Sequence, residues 1–219
     1  MKIHSSVAKI VIFSLVFIFF VLPPLFSKPD ILAFSEWKFP FLQALLFALS
    51  LFLLFSHKEL WKKPLHCGKF FIFYDLIFPA TFTVCILFSI SFFLNGIALL
   101  LKVRGPDYRI VIPQNILQWC FCLLTFIFAA SFEEILYRFY IPDFLINISE
   151  NRKVFVILTE AFTALLFAFA HFYGGVFAVI NALLAHAVLR LCYKKTGFIA
   201  CGLAAHFIYN LIQLFLLEL

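Results

Sequence analysis

The sequence predicts an all-α bundle of about seven transmembrane helices, with six and eight as the bounds, and three observations predict it. Of its 219 residues 65% are hydrophobic and only 13% charged, with a mean hydropathy of +1.08, whereas a soluble domain is nearer half apolar. The apolar residues come in long unbroken blocks, not in the alternation of a barrel strand, so helices are what cross the bilayer. The lysines and arginines behind the net charge of +6 lie between those blocks. They therefore read as topology signals and not as a nucleic-acid footprint.

Seven apolar segments stand out, at about 8–26, 39–56, 72–101, 113–140, 154–172, 175–192 and 198–217. The first follows Lys2 and Lys9 as a signal peptide would, but it is long and runs into Pro23, Pro24, Leu25 and Phe26 instead of a small-residue cleavage site, so it reads as a retained span. The second is short for a crossing. The third is long for one span and contains Pro79, and an additional helix there would invert everything on one side of it. The fourth is expected to break at Pro142, laying residues 143–150 along the interface. Short loops and the absence of an internal repeat argue for a single membrane domain over 1–219, with N-terminal spans in 1–112 and a polar-bearing helical core in 113–217.

Assigning loops alternately gathers Lys2, Lys9, Lys58, Lys62, Lys63, Lys69, Arg152, Lys153, Arg190, Lys194 and Lys195 on one face. Lys28, Lys38, Lys102, Arg104 and Arg109 fall on the other. The richer side is expected to be cytoplasmic, with the N-terminus inside, the C-terminus outside and a bacterial cytoplasmic membrane as the location. Cys85, Cys120, Cys122, Cys192 and Cys201 lie within or at the ends of apolar blocks and only Cys67 is clearly in a loop. All six read as small apolar fillers.

Ionisable residues inside an apolar block cost at least about 2.5 kcal/mol at the bilayer centre, so they default to a functional reading. Asp75 starts its segment and is expected at the interface. The others cluster in the second half: Glu133, Glu134, Arg138, Glu160, His171, Asn181, His186, His206 and Asn210. Glu134 and Arg138, four residues apart with the acid first, have the favourable orientation for an intrahelical ion pair. Glu133 is rotated by about 100° on the same helix, faces a different neighbour, and is the carboxylate left for proton transfer. An antiparallel hairpin turning near Asn151 and Arg152 brings His171 to the depth of Glu133. His206 and Asn210, again four apart, project from one face of the last helix as two donors aimed at one point would. Glu160 reads as an interfacial or helix-pairing residue, and His186, paired at four residues with Arg190, as a hydrogen-bonded packing residue.

Glu133-Glu134-x-x-x-Arg138, Phe167-x-x-x-His171, and His206-x-x-x-Asn210 preceded by Lys195-Thr196-Gly197, resemble the three motifs of the CAAX-protease and bacteriocin-processing (Abi) family. That family includes type II CAAX prenyl endopeptidases, and the resemblance covers roughly residues 113–215. It implies a glutamate-type intramembrane peptidase without a cofactor, acting on a membrane-associated protein or peptide. By the family pattern Glu133 and His171 activate a water, His206 and Asn210 form the oxyanion hole, and Glu134 with Arg138 support the site.

Three other readings compete. One carboxylate and two histidines, Glu133, His171 and His206, form a possible three-ligand zinc set, although no His-Glu-x-x-His is present. A non-catalytic role in bacteriocin immunity or scaffolding would tolerate loss of one of these groups, and none is missing. A transporter would use buried acids and histidines as a proton path, but the chain has no repeat and its polar residues crowd into one half.

Overall fold

The computed structural model describes residues 6–26, 37–62, 72–103, 111–150 and 152–216. Among these the regular structure is helical throughout, in seven continuous helices. They are α1 (Val7–Phe26), α2 (Phe41–Ser56), α3 (Ile72–Leu100), α4 (Ile116–Ile148), α5 (Lys153–Phe169), α6 (Val176–Thr196) and α7 (Ile199–Leu216). Cys67 and Asn151 lie outside the described residues.

Five of the seven, α1, α3, α4, α6 and α7, are long and apolar enough to cross a membrane, while α2 and α5 have 16 and 17 residues. At 1.5 Å per residue those two span about 24–26 Å, slightly short of a hydrocarbon core of about 30 Å. Apolar side chains cover the outside of the bundle: Phe92 and Leu100 are 84% exposed and Ile116 82%. Such a surface is stable only in lipid.

The helices pack through small residues, as they do where lipid supplies no hydrophobic drive. Ser50, Ala80, Thr83, Ala182, Gly202 and Ala205 are all buried at helix contacts. Helix α6 lies against α3, α5 and α7, α4 lies against α2 and α7, and α1 meets α4 through Phe13, whose ring stacks on Phe144 at 4.7 Å. The second-half helices thus form the middle of the bundle.

Two proline expectations are settled by local geometry. Pro79 lies two residues into the regular part of α3, just after a π-helical stretch at Ile72–Ile77, so 72–100 is one helix. Pro142 does not break α4, which continues to Ile148 with Asp143 and Phe144 buried. The physical reason is visible at the carbonyl that proline leaves without a partner four residues back. That carbonyl, on Arg138, accepts from Arg190 Nη1 of α6. A π-helical stretch over Glu134–Tyr140 directly precedes the proline, with every residue in it buried.

Asp75 is 1% exposed, in the π-helical start of α3 that packs against α7. Cys192 Sγ and Cys201 Sγ, both buried, lie 3.0 Å apart across α6 and α7.

Candidate active site

The site begins with the hairpin of α4 and α5. Tyr137 and Phe167 stack edge to face across it, their ring centroids 5.3 Å apart. One turn further along both come Glu133 and His171, at matching levels of the hairpin. Helix α5 stops at Phe169, so His171 sits just past its end, before a short 3₁₀ turn at Phe172–Gly174. Gly175 then takes φ +84°, a conformation glycine adopts without cost, to start α6. His171 is held by its own helix end: Nδ1 lies 2.8 Å from the carbonyl of Phe167. A carbonyl can only accept, so Nδ1 carries the hydrogen and Nε2 presents a lone pair.

The two neighbouring glutamates have different environments. Glu134 is fully buried, its Oε1 3.4 Å from Arg138 Nε and 2.8 Å from His206 Nδ1. Arg138 is also fully buried, with its guanidinium carbon 3.8 Å above the Phe167 ring centre. This stacking holds the cation where it neutralises Glu134. Glu133 is 26% exposed, and its Oε2 sits 3.8 Å from His206 Nε2, too far for a hydrogen bond. The imidazole of His206 therefore lies between the two carboxylates, bonded to one and facing the other.

Gly202 makes this arrangement possible. A Cβ there would come within 2.9 Å of Glu134 Oε2, so any larger residue would require the buried carboxylate to shift from its place beside α7. Asn210, one turn beyond His206, is half-buried, while Asn181 of α6 donates to the Tyr209 hydroxyl at 3.1 Å. The structure thus joins Glu133, Glu134, Arg138 and His206 directly. No hydrogen bond links His171 or Asn210 to the glutamates. Among the described residues no group of three His, Cys, Asp or Glu side chains converges closely enough to hold a metal ion, and the set Glu133, His171 and His206 does not come together as ligands would.

Below the site lies a second polar cluster that sequence reading did not assemble. Arg190 donates through Nε and Nη2 to Glu160 at 2.8–3.2 Å and through Nη2 to Asp143 at 2.7 Å. Lys62 and Lys194 add ion pairs to Asp143 and Glu160, at 3.4 and 3.3 Å, and the Tyr193 hydroxyl reaches Asp143 at 3.3 Å. Glu160 is thereby a helix-pairing residue between α5 and α6. The sequence signal was present: two acids and an arginine in apolar segments, with a proline leaving a carbonyl in need of a donor. What it lacked was the long-range pairing of 143, 160 and 190. His186, expected to be hydrogen-bonded, is 2% exposed with both ring nitrogens unpartnered, packed against Phe167 at 5.7 Å between centroids. Arg190, four residues on, turns to the acids of α4 and α5 and leaves that imidazole without a polar neighbour in bonding range.

A family model described as Type II CAAX prenyl endopeptidase Rce1-like matches residues 115–212. The match starts at Asn115, whose side chain caps α4 by accepting from Gln118 N at 3.0 Å, and it contains every candidate site residue. Comparison with curated proteins and with solved structures gave no match. The glutamate pair, the arginine stacked on Phe167 and the histidine between the carboxylates all lie in the matched part of an apolar helical bundle: the chain is an integral membrane protein whose residues 115–212 are similar to the type II CAAX prenyl endopeptidase Rce1-like family of CAAX-type intramembrane proteases.

Proposed function

We propose that the chain is a glutamate-type intramembrane endopeptidase that hydrolyses a peptide bond in a membrane-associated protein or peptide, without a cofactor. The observation that carries this reading is the unequal treatment of the two adjacent glutamates. Glu134 is locked to Arg138 and His206, whereas Glu133 is partly exposed and its Oε2, buried beside the same histidine, has no hydrogen-bond partner.

In this reading Glu133 and the lone pair of His171 Nε2 hold a water, and Glu133 takes its proton as the oxygen attacks the scissile carbonyl. The carbonyl oxygen becomes an oxyanion, met by His206 and Asn210. With its Nδ1 hydrogen on Glu134, His206 offers an Nε2 hydrogen only as imidazolium. Two carboxylates, one guanidinium and one imidazolium then sum to zero, which keeps the buried set neutral. Glu133 returns its proton to the leaving amine, and the bond is broken with water consumed.

Replacing Glu133 by Gln tests the mechanism. Turnover on a membrane-associated peptide should fall by at least about 100-fold, the scale of a lost general base, with the folded state retained. Undiminished proteolysis by the purified Glu133→Gln protein would rule it out. Full activity in strong chelator is expected as well, and loss of activity restored by zinc would favour the metal alternative.

A further inference from the structure

We propose that Cys192 and Cys201 form a site of reversible thiol oxidation, closing a disulfide that locks α6 to α7 beside the Glu134 brace. The two sulfurs are 3.0 Å apart and both residues are buried. A bonded pair needs about 2.05 Å, so roughly 1 Å of approach separates contact from bond.

The backbone between them holds that alignment. Gly197 ends α6 in the left-handed conformation at φ +68°, its N–H donating to the Tyr193 carbonyl at 2.8 Å. The Thr196 hydroxyl donates to the Cys192 carbonyl at 3.0 Å, and the Cys201 N–H to the Phe198 carbonyl at 3.1 Å. Both ends of the turn are thus fastened one residue or one helical turn from the thiols. The pair is buried but lies near an aqueous end of the bundle, since Lys194 and Lys195 in the same turn are exposed. A small neutral peroxide can therefore reach it, as can a dithiol reductant after local opening.

The chemistry balances with a peroxide as the two-electron oxidant. The first thiol attacked becomes a sulfenic acid, and one water leaves. The second thiol displaces the sulfenic oxygen as another water, so two thiols and one hydrogen peroxide give one disulfide and two waters. Gly202 follows Cys201 immediately and abuts Glu134 Oε2, so drawing Cys201 toward α6 moves the backbone against which Glu134 is seated. That consequence for turnover rests on the peptidase reading; the crosslink itself does not.

The experiment uses the full chain in lipid nanodiscs with Cys67, Cys85, Cys120 and Cys122 changed to Ala. Peroxide should lower the intact mass by two hydrogen atoms, and dithiothreitol should restore it. Adding Cys192→Ala or Cys201→Ala should abolish the mass loss. Peptide mapping of the unaltered chain provides a second measurement, with a 192–201 linked peptide expected after peroxide. An unchanged mass, or oxygen addition without the link, would overturn the site. Turnover of the oxidised protein should drop on the order of tenfold or more, as for a misplaced catalytic group, while Cys192→Ala keeps its turnover in peroxide. A complete crosslink with undiminished turnover would overturn the coupling to Glu134, whereas a crosslink in a protein without any peptidase activity would instead count against the functional reading.

Discussion

Arg138 shows how much of the site depends on single side chains. Its charge is buried, stacked on Phe167 and paired with Glu134, so removing it strands a carboxylate in the middle of the bundle. Arg138→Met should destabilise the protein by about 3–5 kcal/mol, the cost of an unpaired buried charge. Adding Glu134→Gln should recover part of that loss, and thermal unfolding in detergent of both variants checks it. At Gly202 the constraint is steric. Gly202→Ala places a methyl where Glu134 Oε2 already sits, so about 1–3 kcal/mol of overpacking is expected, with turnover reduced more than stability. Equal turnover in wild type and Gly202→Ala would contradict the close approach.

Among the elements, α4 carries the most information. Its π-helical stretch and Pro142 lie next to each other, and Arg190 of α6 supplies the donor that the proline lacks. The same guanidinium pairs Asp143 and Glu160, so three helices meet at one cation. Arg190→Met should therefore cost about 3–5 kcal/mol, because it leaves two carboxylates and a carbonyl without that partner. Lys194 is a different matter. Its side chain is 46% exposed, and Lys194→Ala should change stability by no more than about 1 kcal/mol. Paired unfolding curves of the two variants measure the contrast.

For the whole molecule, four of the cations that sequence counting assigned to one face, Lys9, Lys62, Arg190 and Lys194, form ion pairs with acids of other segments. Lys62 from the α2–α3 connection and Lys194 from the end of α6 both meet the Asp143 and Glu160 cluster. Lys9 of α1 likewise bridges Glu59 at 2.6 Å. Single cysteines placed at Glu59 and Lys195 in a cysteine-free background should therefore label from the same side of the membrane, and one at Lys102 from the other. A membrane-impermeant thiol reagent on oriented vesicles reads this out. Labelling of Lys102 from the Glu59 side would mean that α3 does not cross.

Composition and block length were enough to determine a helical membrane bundle, since only closed backbone hydrogen bonding survives in lipid and these blocks are too long and too uniformly apolar for barrel strands. Helical spacing alone separated Glu133 from Glu134, because adjacent residues on one helix cannot face the same neighbour. Which neighbour each would face was decided by tertiary structure. That His206 bonds Glu134 and only approaches Glu133, that Arg190 completes the backbone at Pro142, and that Cys192 meets Cys201 are contacts between helices distant in sequence, with the exception of the last, where the short connection at Gly197 and Phe198 still had to be closed. Periodicity gives the face of each helix. The rotation and depth at which two faces meet follow from packing of small residues such as Gly202, and those come only with the fold.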